Sequence, residues 1–253
     1  MRMRRIPWAA DYLKESASRV QDPETRKGDW KKETGQILHV EIGCGKGGYS
    51  AAMADLYPQD QFVAIEKNES AAGLAARKFD EQQRENLCLI YGDGSDIDLW
   101  FAPGEADVVH LNFSDPWPKK RNAKRRLTAP GFLEQYWSLL SPSGKIIMKT
   151  DNSSLFEYSI LEFLKAGFYL EEISVDFRRN EHPEDPLTEY EQKFVEKGQP
   201  VYRVIWTKTP ASAEADLTES QNHTGGAGLK TESNGAEETQ PALFERSINK
   251  TEG

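Results

Sequence analysis

Five carboxylates, Glu41, Glu66, Asp93, Asp115 and Asp151, each stand at or just beyond the end of a short apolar run. One acid in such a place caps a helix or faces solvent. Five in succession converge if the runs are parallel strands of one sheet, because the loops leaving the carboxyl edge of such a sheet open a crevice there. A row of anions would receive a cation, or accept hydrogen bonds from hydroxyl and amine groups. Two further features mark the same edge. One is Gly43-x-Gly45-x-x-Gly48, whose glycines allow a tight turn and close approach of a ligand to the backbone. The other is Asn112-Phe113-Ser114-Asp115-Pro116-Trp117-Pro118-Lys119-Lys120-Arg121, continuing into Lys124-Arg125-Arg126. Its prolines bias Ser114 and Trp117 away from helix, so Asp115 and Trp117 are expected on a stiff loop.

The glycine loop formally matches a dinucleotide fingerprint, with Glu66 near the spacing of a ribose-binding acid. Glu41, two residues before the first glycine, discriminates. A pyrophosphate is held by helix amides with no anion nearby; a carboxylate at position 41 suits a ligand with an ammonium and a sulfonium, which describes S-adenosylmethionine. Glu66 would then accept from the ribose hydroxyls and Asp93 from the adenine amine. The cationic run carries different chemistry. Six of the eight residues from Lys119 to Arg126 are basic in a chain with 32 basic and 41 acidic side chains, net −9. Alone, such a run is a solvated face; fixed to a rigid strand end beside a carboxylate, it reads as a phosphate-binding patch.

The elements that must position these residues alternate. Strands are predicted at 36–42, 61–65, 87–91, 107–113, 145–150, 168–177 and 201–207. Helices are predicted at 7–15, from 50 to 57, from Asn68 or Ser70 to about 84, and at 130–140 and 153–166, with a helical turn near 96–101. The fold class is α/β: a doubly wound, Rossmann-like sheet of seven mostly parallel strands, the last antiparallel. Residues 1–208 read as one domain with an N-terminal extension. The segment 209–253 is low in apolar periodicity and carries a net charge of −5, a composition that predicts disorder, with Ala242-Leu243-Phe244 as its one apolar patch.

Other classes are excluded by composition. The basic start is followed by too short an apolar stretch for a secretory signal, and no membrane span is evident, so a cytoplasmic protein is expected. Cys44 and Cys88 form no CxxC pair and read as reduced core residues. His39 and His110 lie on strands, His182 and His223 in loops, and no ligand spacing joins them, so no metal is expected.

With these residues assembled, the sequence resembles the bacterial tRNA (guanine-N7-)-methyltransferases, which methylate a variable-loop guanosine of tRNA. The resemblance spans about residues 1–208. It rests on the 111–121 string, on Lys124-Arg125-Arg126-Leu127-Thr128, Lys149-Thr150-Asp151-Asn152 and Leu155-Phe156-Glu157-Tyr158, and on Thr188-Glu189-Tyr190-Glu191. It implies that Glu41, Gly43, Gly45, Glu66, Asp93 and Asp115 hold the methyl donor and that Asp115 is catalytic. Lys119, Asp151, Thr188, Glu189, Tyr190 and Glu191 would contact the substrate, and Arg121, Asn122, Ala123, Lys124, Arg125 and Arg126 the RNA. The family often has a histidine where Asn122 stands. From pattern alone, Thr188–Glu191 reads as a polar turn before the last strand. Monomer and homodimer both stay open.

Three rival readings differ in identifiable residues. A nicotinamide-dependent reductase would share the glycine loop, but Glu41 and the lack of a Tyr-x-x-x-Lys constellation argue against it. A non-catalytic RNA-binding subunit would have no need of the acids, all of which are present. A base-amine methyltransferase of the Asp/Asn-Pro-Pro-Tyr type would have proline and an aromatic residue where this chain has Trp117 and Pro118.

Overall fold

The computed structural model describes residues 4–209; the acidic segment and its Ala242-Leu243-Phe244 patch lie outside the described residues. After helix α1 (Ala9–Glu15), strands and helices alternate as β1 (Leu38–Ile42), α2 (Gly48–Leu56), β2 (Gln61–Glu66), α3 (Glu69–Gln82), β3 (Leu87–Tyr91) and the short α4 (Ile97–Trp100). They continue with β4 (Ala106–Asn112), α5 (Pro130–Leu139), β5 (Leu140–Thr150), α6 (Ser153–Lys165), β6 (Tyr169–Ser174), α7 (Glu189–Val195) and β7 (Tyr202–Thr207). The strands form one seven-stranded sheet in the order β3-β2-β1-β4-β5-β7-β6. The first five are parallel, and β7 runs antiparallel to both β5 and β6.

β1 and β2 are buried at every position, as expected of parallel strands covered on both faces. The core splits into two clusters, and alternate residues of β2 divide between them. Val63 and Ile65 pack with Leu38, Val40, Ile42, Val109 and Ile146; Phe62 and Ala64 pack with Met53, Ala72, Phe79 and Leu89. Since neighbouring side chains on a strand point to opposite faces, the clusters lie on opposite sides of the sheet. The same alternation places His39, Glu41, His110 and Lys149 on the second face, all buried.

The N-terminal segment is part of this body. Ala9 of α1 stands so close to Gly73 of α3 that a Cβ added there would lie 2.5 Å from its methyl. Residues 18–20 extend the sheet beyond β3 through Leu89 N–H to Ser18 O and Val20 N–H to Leu89 O, both 2.9 Å, covering an otherwise open edge. Trp30 then fills the first core cluster, stacking on Phe101 at 5.2 Å and donating its indole N–H to Trp100 O at 2.8 Å.

Several predicted boundaries move: β1 begins at Leu38 rather than residue 36, and β6 spans Tyr169–Ser174 rather than 168–177. β5 starts at Leu140 rather than Lys145, because α5 runs straight into the strand and residues between Leu140 and Lys145 bulge out of register with β4. The connection between β6 and β7 holds α7, whose N-cap is a reciprocal Thr188/Glu191 box; the polar turn expected from pattern alone is a helix start.

Trp30→Ala removes a side chain only 1% exposed together with its indole hydrogen bond, and is expected to lower unfolding free energy by about 3–5 kcal/mol. Urea unfolding checks this; a loss below about 1 kcal/mol would mean the segment is not integral to the core.

Candidate active site

Strand order reverses between β1 and β4, and the loops leaving those strands part to form a cleft of about 200 Å3. Gly43 follows β1, Glu66 ends β2, Asp93 follows β3, and Ser114, Asp115 and Trp117 follow β4; all line this cleft, joined by Lys67 and Arg125. Of the five strand-end acids, three therefore meet. Glu41 is 5% exposed and does not line the cleft: its carboxylate accepts hydrogen bonds from Ser50 Oγ and from Asn112 Nδ2, the latter at 2.9 Å. Asp151, which follows β5, does not line it either; its charge and that of Asp115, after burial, push the Tyr190 phenol above its ordinary value.

Each cleft acid is held differently. Glu66 is nearly buried, and its two carboxylate oxygens accept the backbone N–H groups of Gly45 (2.9 Å) and Asn68 (2.7 Å). Burial pushes its carboxyl above the usual value, against the pull of those amides. For Asp93, burial also works upward, but hydrogen bonds from Ser95 N and Oγ, both 3.1 Å, and the Lys67 ammonium hold it below the ordinary carboxylate value. Burial likewise raises Glu41, opposed by Asn112 and Ser50.

The loop bearing Asp115 is strained and braced. Phe113 and Trp117 adopt left-handed backbone at φ 50° and 39°, each costing on the order of 1–3 kcal/mol for a bulky residue. Trp117 is thus kept out of helix as expected, but in the left-handed rather than the extended region. Arg126 offsets this by donating Nε to Pro116 O at 3.0 Å and Nη2 to Trp117 O at 3.2 Å, while its guanidinium lies 4.2 Å from the Tyr158 ring centre. Its side chain is committed to the protein, unlike Arg121, Lys124 and Arg125, which are exposed on the 3₁₀ segment Lys120–Arg125 with Asn122 and Ala123 half-buried between them. Arg125 lies over the Trp117 ring at 4.8 Å. Lys119 is exposed at the start of this segment.

Thr188, Glu189, Tyr190 and Glu191 belong to the cap and first turn of α7. Tyr190 faces out against Phe113 (ring centres 5.3 Å) and Phe194 (4.9 Å). Glu191 faces inward and is fully buried. It pairs with Arg178 Nε at 2.6 Å and Lys149 Nζ at 3.3 Å; Lys149 also pairs with Asp185, which receives Arg178 Nη2 at 2.7 Å. Sequence reasoning missed Arg178 and Asp185, although the Thr188-x-x-Glu191 box was a readable sign of a helix start.

A polar file continues from Asp185 under the sheet. Tyr49 OH lies 3.3 Å from both Asp185 Oδ2 and His110 Nδ1; His110 Nε2 meets His39 Nδ1 at 3.0 Å, and His39 Nε2 reaches Asp60 at 3.3 Å. The strand histidines are core residues, as expected, and pair with each other.

The cleft fits an S-adenosyl ligand on three counts. Gly43 and Gly45, at φ 80° and 58°, have nothing within 4 Å of where a Cβ would stand, so their backbone is open to a ligand. Ser114, which lines the cleft, has its Oγ buried with no protein partner. Glu66 presents a carboxylate already held in place by two amides.

Comparison with known proteins agrees. Residues 35–204 match a family model described as "Putative methyltransferase". The tRNA (guanine-N(7)-)-methyltransferase of Oceanobacillus iheyensis is 43% identical over 80% of this chain and 97% of its own. That of Exiguobacterium sibiricum is 43% identical over 83% of this chain and 100% of its own. A methyltransferase structure from Pyrococcus furiosus shares the fold, with a TM-score of 0.51 at 20% identity over 70% of this chain and 77% of that one.

The histidine file predicts a pH dependence. Burial holds His39 and His110 below the ordinary imidazole value of 6.5, with Asp60 partly countering this at His39 and the neighbouring histidine adding to it at His110. Between the lowered values and 6.5 the unfolded chain binds protons that the fold excludes. This contribution is therefore full above pH 6.5 and lost as pH falls, by up to about 1.4 kcal/mol per unit for each histidine. Glu41 and Glu66, with raised values, act in the opposite sense, so the comparison is between variants. The stability gap between wild type and His110→Gln in urea unfolding narrows from pH 7 to pH 5; a constant gap would show that His110 is protonated within the fold.

Proposed function

Because this chain belongs to the tRNA (guanine-N(7)-)-methyltransferase family, we propose that its cleft moves a methyl group from S-adenosylmethionine to N7 of a guanosine in the variable loop of tRNA. The observation that carries this reading is the meeting of Glu66, Asp93 and Asp115 in one cleft, bordered by Arg125 and the exposed basic segment. S-adenosylmethionine, when bound, supplies an electrophilic methyl on a sulfonium. Residues 1–208 are the catalytic unit, 209–253 an appended acidic segment, and a tRNA substrate places the work in the cytoplasm.

The chemistry asks little proton transfer of the protein. Guanine N7 carries a free ring lone pair, so no base need remove a proton before attack. What the residues supply is orientation, and anions where positive charge spreads over the purine. Asp115, three residues beyond β4, accepts hydrogen bonds from guanine N1–H and the exocyclic amine in this reading, with Asp151 as a second acceptor. Glu66 accepts from ribose hydroxyls and Asp93 from the adenine amine of the donor. Glu41 acts from beneath: by fixing Asn112 it sets the strand end from which Ser114 and Asp115 project. Arg121, Lys124 and Arg125 take phosphates, while Arg126 keeps the loop in shape. Reaching N7 in folded tRNA is expected to take extrusion or local unfolding of the nucleotide, a cost that phosphate contacts offset.

Asp115→Ala is expected to abolish methyl transfer while tRNA binding persists; mass spectrometry of tRNA nucleosides and a filter-binding titration read the two effects, and full turnover would remove Asp115 from the mechanism. Arg125→Ala weakens tRNA binding across sequences and lowers the slope of log K against log salt by about one, whereas an unchanged slope returns the segment to a solvated loop.

A further inference from the structure

The group Lys149, Asp185, Arg178 and Glu191 is a buried quartet of two cations and two anions, drawn from β5, the β6–α7 connection and α7. Every member is committed. Arg178 gives Nε to Glu191, Nη2 to Asp185 Oδ1 and Nη1 to Asp185 O at 2.9 Å. Lys149, with no exposed surface, lies 4.5 Å from the centre of the Tyr49 ring. Glu191 also closes the N-cap of α7 through Thr188 N–H. An ion buried in this way is tolerated only with its partners in place, so the quartet ties the connection between β6 and β7 to β5, and removing one member leaves the others uncompensated.

That tie has a consequence at the cleft. Tyr190 precedes Glu191, so fixing Glu191 inward fixes Tyr190 outward. Its ring stands against Phe113, which lines the cleft, and its phenol is raised first by burial and then by the charges of Asp151 and Asp115. We propose that Arg178 and Asp185 are positioning residues for the acceptor: acting through Glu191, they hold Tyr190 as the wall against which the target base is placed. The donor side is built on β1, β2 and β3, and the quartet meets it through the hydroxyl that Tyr49, at the start of α2, gives to Asp185. This rests on the methyltransferase reading above.

The test uses the full chain, with tRNA and S-adenosylhomocysteine as probes. Arg178→Met is expected to lower kcat/KM for tRNA by on the order of tenfold to a hundredfold, while S-adenosylhomocysteine affinity by calorimetry changes less than about twofold. Amide exchange should quicken in α7 and stay unchanged in β1–β3. Arg178→Lys, which keeps a charge beside Glu191, recovers part of the loss. Tyr49→Phe removes the hydroxyl shared between Asp185 and His110 and shifts the same quantities less, keeping the test open if Arg178→Met fails to fold. Unchanged tRNA kinetics alongside loosened α7 amides would overturn the proposal, as would donor affinity falling in parallel with tRNA kinetics. A wild-type chain that methylates no tRNA would overturn the functional reading and this proposal with it; an active wild type with an unaffected Arg178→Met overturns this proposal alone.

Discussion

The cleft depends on a single topological constraint, the reversal of strand order between β1 and β4. Successive strands step one way from β1 to β3, and the chain then crosses back to lay β4 on the other side of β1. Loops leaving β1 and β4 must diverge to reach helices on opposite faces, and the space between them cannot be filled by either. Glu66 and Asp93 come to that space from one side and Asp115 from the other. The acids are thus divided between the two sides of the cleft by the fold before any side chain is chosen.

The two faces of the sheet are built differently. One carries an aliphatic and aromatic core in which Phe163 stacks on Trp206 at 3.8 Å. The other mixes alanine-rich packing from α2 and α3 with a file of buried polar groups running from Asp60 through both histidines and Tyr49 to the quartet under α7. A fully satisfied buried polar network specifies one arrangement more sharply than an apolar core of equal size.

The positions of the strand-end acids could be read from the chain because parallel strands announce themselves as apolar runs, and each run stops where glycine, proline or charge begins. Residues 107–113 and the acid after them are an example, displaced in the structure by a single residue. What was not legible is instructive. Lys149 reads as a surface residue by type, since lysine is seldom fully buried, and its partner Asp185 lies 36 residues away with no local pattern to link them. Glu41 was read as a ligand group from its place before the glycines, which does not reveal that Ser50 and Asn112 enclose it. The glycine loop suggested an open turn and gave one. The left-handed Trp117 departs from the usual preference before proline, and only its tertiary bracing by Arg126 explains it.

That bracing bears on how such a chain can adapt. Two bulky residues flank Asp115 in a backbone region that neither would choose alone, so the loop lies above its own local minimum and is kept there by its surroundings. Replacements that relax it would raise heat tolerance while letting the carboxylate wander, which sets thermal hardiness against a fixed place for Asp115 within five residues. A lineage moving to hotter habitats would have to seek its gains on distant surfaces and leave this corner of the molecule uncomfortable.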